Sequence, residues 1–385
     1  MADKPRFGGE KRTVALKEFC VLGMGQSPSS NSYNVGGDGL PFYQGNADFG
    51  EENPVPRTWC TNPKKIAEKG DVLVSVRAPI GAINIANEKC CIGRGIAAIR
   101  PNPDIAITGF LRHQLVASRS KLEAMGTGST FKAVGKKALG DFPIVVYSKS
   151  TQEAIERQLN CITKQIKAIN SQLDQFDSLV KSRFVEMFGT IDCPRYPVVE
   201  LESVCSDIVD CPHETPKYQG DLIHPAIRTS ELEGATIKWS TMKYVSGEEY
   251  QKRIKRLRPL PGDVVYAREG TYGDAAILPP GYDFCLGQRT MLFRADSALC
   301  TPEYLLYSLI STDVRRQADK LNIGSTVPHV NVRDAKRFKV MLPEMSFQHQ
   351  FAAFAAQVDK SRFIAQQQID KLQTLYDSLA QEYFA

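Results

Sequence analysis

The chain repeats itself, and the spacing of the repeat limits how it can fold. Gly70-Asp71-Val72-Leu73 recurs 192 residues later as Gly262-Asp263-Val264-Val265, each copy following a turn residue, Lys69 or Pro261. At the same offset Gly81 meets Gly273. Cys91-Ile92-Gly93-Arg94 meets Cys285-Leu286-Gly287-Gln288 at an offset of 194. Gly128-Ser129-Thr130 meets Gly324-Ser325-Thr326 at 196, as Phe142 does Phe338 and Gln152 does Gln348. A drift of four residues over roughly eighty positions is what small loop insertions leave in a duplicated domain. A chain of 385 residues, 42% hydrophobic, has core material for two such domains.

Each copy leads into a long amphipathic segment. From Gln152 onward, Ile155, Leu159, Ile162, Ile166, Ile169, Leu173, Phe176 and Val180 step alternately by four and three, with no proline or glycine before Gly189. That is the a/d seam of a heptad repeat. The C-terminal stretch behaves alike through Phe351, Phe354, Val358, Ala365, Ile369, Leu372, Tyr376 and Leu379, with Ser361 and Gln368 weakening its middle. Phe176-Asp177-Ser178-Leu179 resembles Tyr376-Asp377-Ser378-Leu379 at an offset of 200, which one four-residue stutter accounts for. Neither seam can stay exposed in a soluble chain, and the simplest partner for one is the other. The pattern predicts an antiparallel coiled coil with the globular copies at opposite ends, its first helix roughly 57 Å long. Two core helices of one compact fold are the competing expectation. The expected order is a first domain over 1–150, a spacer helix over 151–190, a second domain over 191–346 and a second spacer helix over 347–385.

Within each copy the apolar runs are short and β-branched, as at Val72–Val76, Ile80–Ile85, Val264–Ala267 and Met291–Phe293, and glycine and proline punctuate them. This reads as an α+β domain with a curved sheet and long polar loops. Net charge is +5, and its distribution is more informative than its size. The helical segments carry zero and minus one, leaving the basic excess in the globular parts. A neutral rod with basic ends suits end domains that touch phosphate. The loops hold side chains able to read base edges, since arginine bonds bidentately to guanine, and glutamine or asparagine to adenine. In the first copy these are Gln26, Ser27, Tyr43, Gln44, Asn46, Arg77, Arg94 and Lys132. In the second they are His213, Lys217, Arg228, Thr229, Arg268, Tyr272, Gln288 and Arg289. Arg77 and Arg268, beside the repeated loop, are the foremost candidates.

Signatures of catalysis are missing from the sequence. There is no Gly-x4-Gly-Lys-Ser/Thr loop, no His-Glu-x-x-His helix and no Asn/Asp-Pro-Pro-aromatic tetrapeptide. Gly93-Arg94-Gly95-Ile96-Ala97-Ala98 fits a loose dinucleotide fingerprint, but Pro101 and Pro103 follow where that site needs a helix. The turns Gly126-Thr127-Gly128-Ser129 and Asn322-Ile323-Gly324-Ser325 suit phosphate contact or simple chain reversal equally. The ten cysteines include no Cys-x-x-Cys pair and no metal-like cluster with the five histidines, so reduced structural thiols are expected, with no metal and no cofactor. No apolar run of 18 residues occurs, and Met-Ala-Asp-Lys-Pro-Arg at the start has no signal core, so a cytoplasmic protein is expected.

The duplicated order of these pieces resembles the specificity (S) subunit of type I restriction-modification systems over nearly the whole chain. The resemblance rests on Gly70-Asp-Val-Leu-Val-Ser-Val-Arg-Ala-Pro-Ile-Gly81, the Ile92-Gly-Arg-Gly95 block, Gly128-Ser-Thr-Phe-Lys132, and the phenylalanine, strand and glutamine that lead into each long helix. It implies two target recognition domains that each read half of a split DNA site. It further implies two helices between them, and no catalysis in the chain, with modification (methyltransferase) subunits, two of them expected, and restriction subunits recruited for that. The second copy departs from the first, with Glu269-Gly270-Thr271 where the first has Arg77-Ala78-Pro79, and it lacks the Gly-Arg-Gly block. Different half-sites would require such differences. The other classes to weigh are a DNA methyltransferase-type enzyme with attached recognition domains, which would bind S-adenosylmethionine alone, and a coiled-coil scaffold, which would bind no DNA.

Overall fold

The structure is a computed structural model that describes residues 11–128, 132–220, 223–321 and 329–385. The turn residues 129–131 and 322–326 singled out above lie outside that set. The chain divides into two compact units. One runs through Asn170 and includes Gln366–Ala385, and the other is Ser171–Ala365.

The first unit is built on a four-stranded antiparallel sheet of β1 (Cys20–Met24), β2 (Val72–Ser75), β3 (Ile83–Ile85) and β4 (Ile96–Pro101), in the order β1-β4-β2-β3. The second repeats it with β5 (Cys205–Asp210), β6 (Val264–Ala267), β7 (Ala275–Ile277) and β8 (Thr290–Ala295), in the order β5-β8-β6-β7. The run Val72–Ser75 is buried throughout because both faces of the sheet are covered. Successive side chains point to opposite faces of a strand. Val72 and Val74 therefore enter a core with Leu111 and Leu115, while Leu73 joins Tyr43 and Ile92 on the other side. Val264 and Tyr266 likewise pack with Tyr304 and Leu305, and Val265 with Ile227 and Leu286. The second layer in each unit is a further sheet of short strands, five in the first unit and four in the second, with one parallel pair. Leu40–Tyr43 lies beside Cys90–Ile92 in the first, and His224–Ile227 beside Cys285–Leu286 in the second.

The Gly-Asp repeat has a physical reason. Gly70 and Gly262 hold φ of 91° and 92°, a region that residues with a Cβ avoid. The following aspartate is buried and accepts two bonds from one arginine. Asp71 takes them from Arg100 at 2.7 and 2.8 Å, and Asp263 from Arg294 at 2.8 and 2.7 Å. Bidentate pairing of this kind is what lets a carboxylate stay charged inside a fold.

Of the helices among the described residues, four matter most to the frame: α1 (Thr108–Ala117), α2 (Lys149–Phe188), α3 (Pro302–Leu309) and α4 (Met345–Phe384). Both α2 and α4 are 40 residues long. In the first unit Ile155, Leu159 and Ile162 of α2 pack on Tyr376, Leu379, Ala380, Tyr383 and Phe384 of α4, together with Phe110 of α1. In the second, Val180, Phe184 and Phe188 of α2 pack on Phe351, Ala355 and Val358 of α4. In the second unit Asp177, Arg183 and Phe188 of α2 meet Arg362, Phe354 and Phe351 of α4 in turn, so the two helices run antiparallel there. No helix among the described residues is long and apolar enough to cross a membrane.

Each long helix is tied to its domain by a fully buried glutamine. Gln152 accepts from the Ile107 N–H at 3.0 Å and donates to the carbonyls of Ile105 and Tyr147 at 2.8 and 2.9 Å. Gln348 accepts from the Thr301 N–H at 2.9 Å and donates to the carbonyls of Leu299 and Pro343, both at 2.9 Å. Replacing Gln348 by Leu, close in size, leaves those three backbone groups buried and unpaired. The expected loss is about 2–4 kcal/mol. Thermal unfolding with hydrogen exchange at Leu299–Thr301 reads it, and an unshifted melt would refute the role.

A second expectation concerns His113 on α1. Its ring is 1% exposed. Nε2 faces Asn160 Oδ1 at 2.8 Å and Nδ1 faces the Tyr376 hydroxyl at 2.9 Å. Asn160 Nδ2 donates to Glu156, so its oxygen must face the ring, which sets the proton on Nε2. Burial, reinforced by Arg112, pushes the His113 pKa down to about 4 despite the Asn160 bond, which acts to raise it. An unfolded histidine takes up a proton near pH 6.5. The folded ring refuses it, so the stability tied to the neutral ring is complete above about pH 6.5 and falls with pH by about 1.4 kcal/mol per unit. His113→Gln should flatten the melting temperature between about pH 6.5 and 4.5 relative to the parent. An equal slope in both would refute this.

Candidate nucleic-acid interface

In the first unit five of the eight expected residues line one open cleft of about 430 Å³: Ser27, Gln44, Asn46, Arg77 and Arg94. Three loops build it. The segment after Tyr43 is pinned by Asp48, whose carboxylate accepts from the Gln44 N–H at 2.7 Å. The Gly93-Arg94-Gly95 turn lies against it, with the Gly93 N–H bonded to the Tyr43 carbonyl at 2.8 Å and the Gly95 N–H to the Gln44 carbonyl at 3.1 Å. A Cβ at Gly95 would stand 2.3 Å from the Gln44 oxygen, so the close approach requires glycine there. Arg77 follows β2 in a turn held by the Ser75 hydroxyl, which donates to the carbonyls of Arg77 and Pro79 at 2.9 and 2.7 Å. Arg77 and Arg94 have exposed side chains. The cleft wall thus presents two guanidinium groups with one carboxylate, Asp48, beside amide and hydroxyl groups. Lys132 is exposed next to Ala133, whose backbone bridges Arg77, and Gln26 is exposed at the entry of its loop.

Tyr43 is a correction. Its ring is fully buried against Leu73 and Ile92, so its side chain cannot meet a ligand. Both faces of the strand Leu40–Tyr43 are covered, so Phe42 and Tyr43, which point opposite ways, are both buried, and it is Gln44, one residue on, that reaches the surface.

The second unit keeps several of the backbone bonds and changes the side chains. Val76 N–H to Gly95 carbonyl in the first unit becomes Arg268 N–H to Arg289 carbonyl in the second, at 2.9 and 3.0 Å. Gly93 to Tyr43 becomes Gly287 to Ile227 at 2.7 Å, and the Arg77–Ala133 bridge becomes Glu269–His329. Gln44 therefore corresponds to Arg228, and Arg77 to Glu269. Arg94 corresponds to Gln288, and Gly95 to Arg289. Arg268 takes the place of Val76, so it is not the counterpart of Arg77 that its position beside the loop suggests.

Most of the expected residues here already have partners. Arg228 is a fork on the fully buried Glu231, which also accepts from the Arg228 N–H at 2.9 Å. Arg268, 15% exposed, lies 3.6 Å from both Asp210 and Glu269. His213 Nε2 is 3.4 Å from Asp210, which also pairs with Arg256. Gln288 donates to Thr215 Oγ1 at 2.6 Å. Tyr272 bonds Asp319 and lies under the Arg315 guanidinium at 4.1 Å, and the Thr229 carbonyl accepts from the Thr271 hydroxyl at 3.2 Å. Lys217 and Arg289 are exposed. The acids Asp48, Asp210, Glu231 and Glu269 were not among the expected residues. Their signal was present in the sequence as carboxylates three or four positions from a candidate, or directly beside one.

Comparison with known proteins adds to this geometry. The family described as type I restriction modification DNA specificity domain matches residues 9–175 and 221–374. A putative type I restriction enzyme MjaX specificity subunit of Methanocaldococcus jannaschii is 40% identical over 165 residues, 43% of this chain and 39% of that protein. This chain thus matches about two fifths of that relative's length. The type I restriction enzyme MjaVIII specificity subunit of the same organism is 20% identical over 78% of this chain and 74% of that one. The crystal structure of a type I restriction-modification system S subunit from M. genitalium is alike in fold. Its TM-score is 0.55 at 13% identity, covering 100% of this chain and 99% of that one.

A direct test of the first cleft is Arg77→Ala with duplex DNA. A guanidinium that bonds a base edge should cost specific binding about 1–3 kcal/mol when removed and spare non-specific binding. One that meets only phosphate should weaken both alike and lower the salt slope by about one. Unchanged affinity for every duplex would remove Arg77 from the interface.

Proposed function

Because the chain belongs to the family of type I restriction modification DNA specificity domains, we propose that it is the DNA sequence-specificity subunit of a type I restriction-modification complex. On this reading residues 1–150 and 191–346 are target recognition domains, each reading half of a bipartite DNA site. The segments 151–190 and 347–385 are the spacer between them. The chain itself carries out no catalysis and works in the cytoplasm. Two modification subunits supply methylation and restriction subunits supply cleavage, both recruited by this chain. The observation that carries the reading is the pair of corresponding loop frames: shared backbone hydrogen bonds hold two different sets of polar side chains. A frame kept constant while its walls vary suits two readers of unlike half-sites.

In the first domain the readers are Gln44, Asn46, Arg77 and Arg94, with Gln26, Ser27 and Lys132 at the margin. In the second, His213, Lys217, Arg228, Thr229, Arg268, Tyr272, Gln288 and Arg289 surround the corresponding turns. Arginine and lysine at the rim meet phosphate and set orientation, and groups deeper in the cleft meet base edges.

If the helices set the separation of the two readers, their length sets the number of unread base pairs. Adding four residues to each lengthens the pair by about 6 Å, close to two base-pair rises of about 3.4 Å. Assembled with modification subunits, the insertion variant should methylate the same half-sites with a spacer one or two base pairs longer. Exchanging residues 14–150 for another recognition domain should alter one half-site only. Methylation mapping decides, and an unaltered spacer would overturn the ruler.

A further inference from the structure

Arg289 has a backbone conformation that its counterpart in the first unit does not need. Its φ is 63°, and among the described residues it alone has a positive φ without being glycine. Residues with a Cβ rarely adopt this region, and such strain persists where the surrounding structure holds it and a function uses it. The corresponding residue is Gly95, where a Cβ would strike the neighbouring loop. Where the first unit has no side chain at all, the second unit thus carries a long cationic one, 62% exposed, on a backbone turned to positive φ. Its Nε lies 3.1 Å from the Glu269 carboxylate. Glu269 is 21% exposed, bridges the backbone as Arg77 does in the first unit, and lies between Arg268 and Arg289.

We propose that Arg289 is the guanine-reading residue of the second recognition domain, with Glu269 as the positioning residue that orients its guanidinium. This rests on the reading of the chain as a specificity subunit. The same frame then offers its guanidinium from the position of Arg77 in one domain and from the position of Gly95 in the other. A carboxylate standing where the first domain has its arginine supplies the acceptor that holds the relocated donor. Two parallel donors match the O6 and N7 acceptors of guanine, whereas an ammonium offers no such fork.

The test uses the full chain assembled with its modification subunits, reading methylated motifs and melting temperature together. Arg289→Gly and Arg289→Lys should keep the first half-site and the spacer. Both should lose about ten- to hundredfold of the preference for one G·C pair in the second half-site. Arg289→Gly should melt at or above the parent temperature, since glycine relieves the strain, so the loss cannot be assigned to unfolding. Glu269→Gln should relax the same base pair and no other, with its melt unchanged. An intact motif in both Arg289 variants, or an equal loss of methylation at all sites whatever their second half-site, would overturn the assignment while the specificity-subunit reading stands. If the unaltered chain yields no bipartite motif, that reading falls and this inference with it.

Discussion

The buried glutamine at the start of each long helix is the contact on which the arrangement of each unit depends. Gln152 and Gln348 lie at the join between a sheet-bearing domain and a 40-residue helix. Such a join is a natural hinge, since a loop ending in a helix has unpaired backbone groups to place. The amide satisfies three of them at once, on two separate segments of the domain. An apolar residue of equal size would fill the space but leave those groups unpaired, and a glutamate would lack the two donors. The helix direction relative to its own domain is thus set by hydrogen-bond geometry rather than by apolar packing, which is less directional.

The same division between rigid support and variable surface runs through the sheets. The aspartate–arginine forks at Asp71 and Asp263 and the loop-to-loop bonds at Gly93 and Gly287 recur in both units with nearly equal lengths. Side chains that project from the same loops share almost nothing: Gln44 against Arg228, Arg77 against Glu269, Arg94 against Gln288. Backbone bonds do not depend on side-chain identity, so the walls of a cleft held this way can change without disturbing its floor.

Which parts of this were legible in the sequence follows from the same physics. Gly70-Asp71 and its repeat were readable because a positive φ and a buried carboxylate tolerate few substitutes, so the letters themselves recur. The helices were readable because a seam of Ile155, Leu159 and Ile162 imposes a period. Gln152 and Gln348 recur too, but nothing local reveals that their partners lie some 45–50 residues upstream. Tyr43 was misread because its strand is four residues long and covered on both faces, so no in-and-out period marks which of its side chains are buried. The pairing of Arg268 with Asp210 joins residues far apart in the chain, so its restraint could be seen only in the fold.

The carboxylates beside the candidate arginines bear on the function more than the net charge does. A surface that only gathers a polyanion gains from every free cation and loses from every acid nearby. Discriminating one base from another is different, because the donor must stand in one place before binding and not swing to the nearest phosphate. Ordering a free arginine at the moment of contact costs about 0.5–1.5 kcal/mol, a sizeable part of what one base contact returns. Glu231 on Arg228 and Glu269 on Arg289 remove part of that cost in advance. They also lower the attraction to phosphate, which weakens binding to every wrong sequence. On the proposed reading, a domain that places acids among its arginines gives up general affinity for the difference between affinities, and that difference is what specificity consists of.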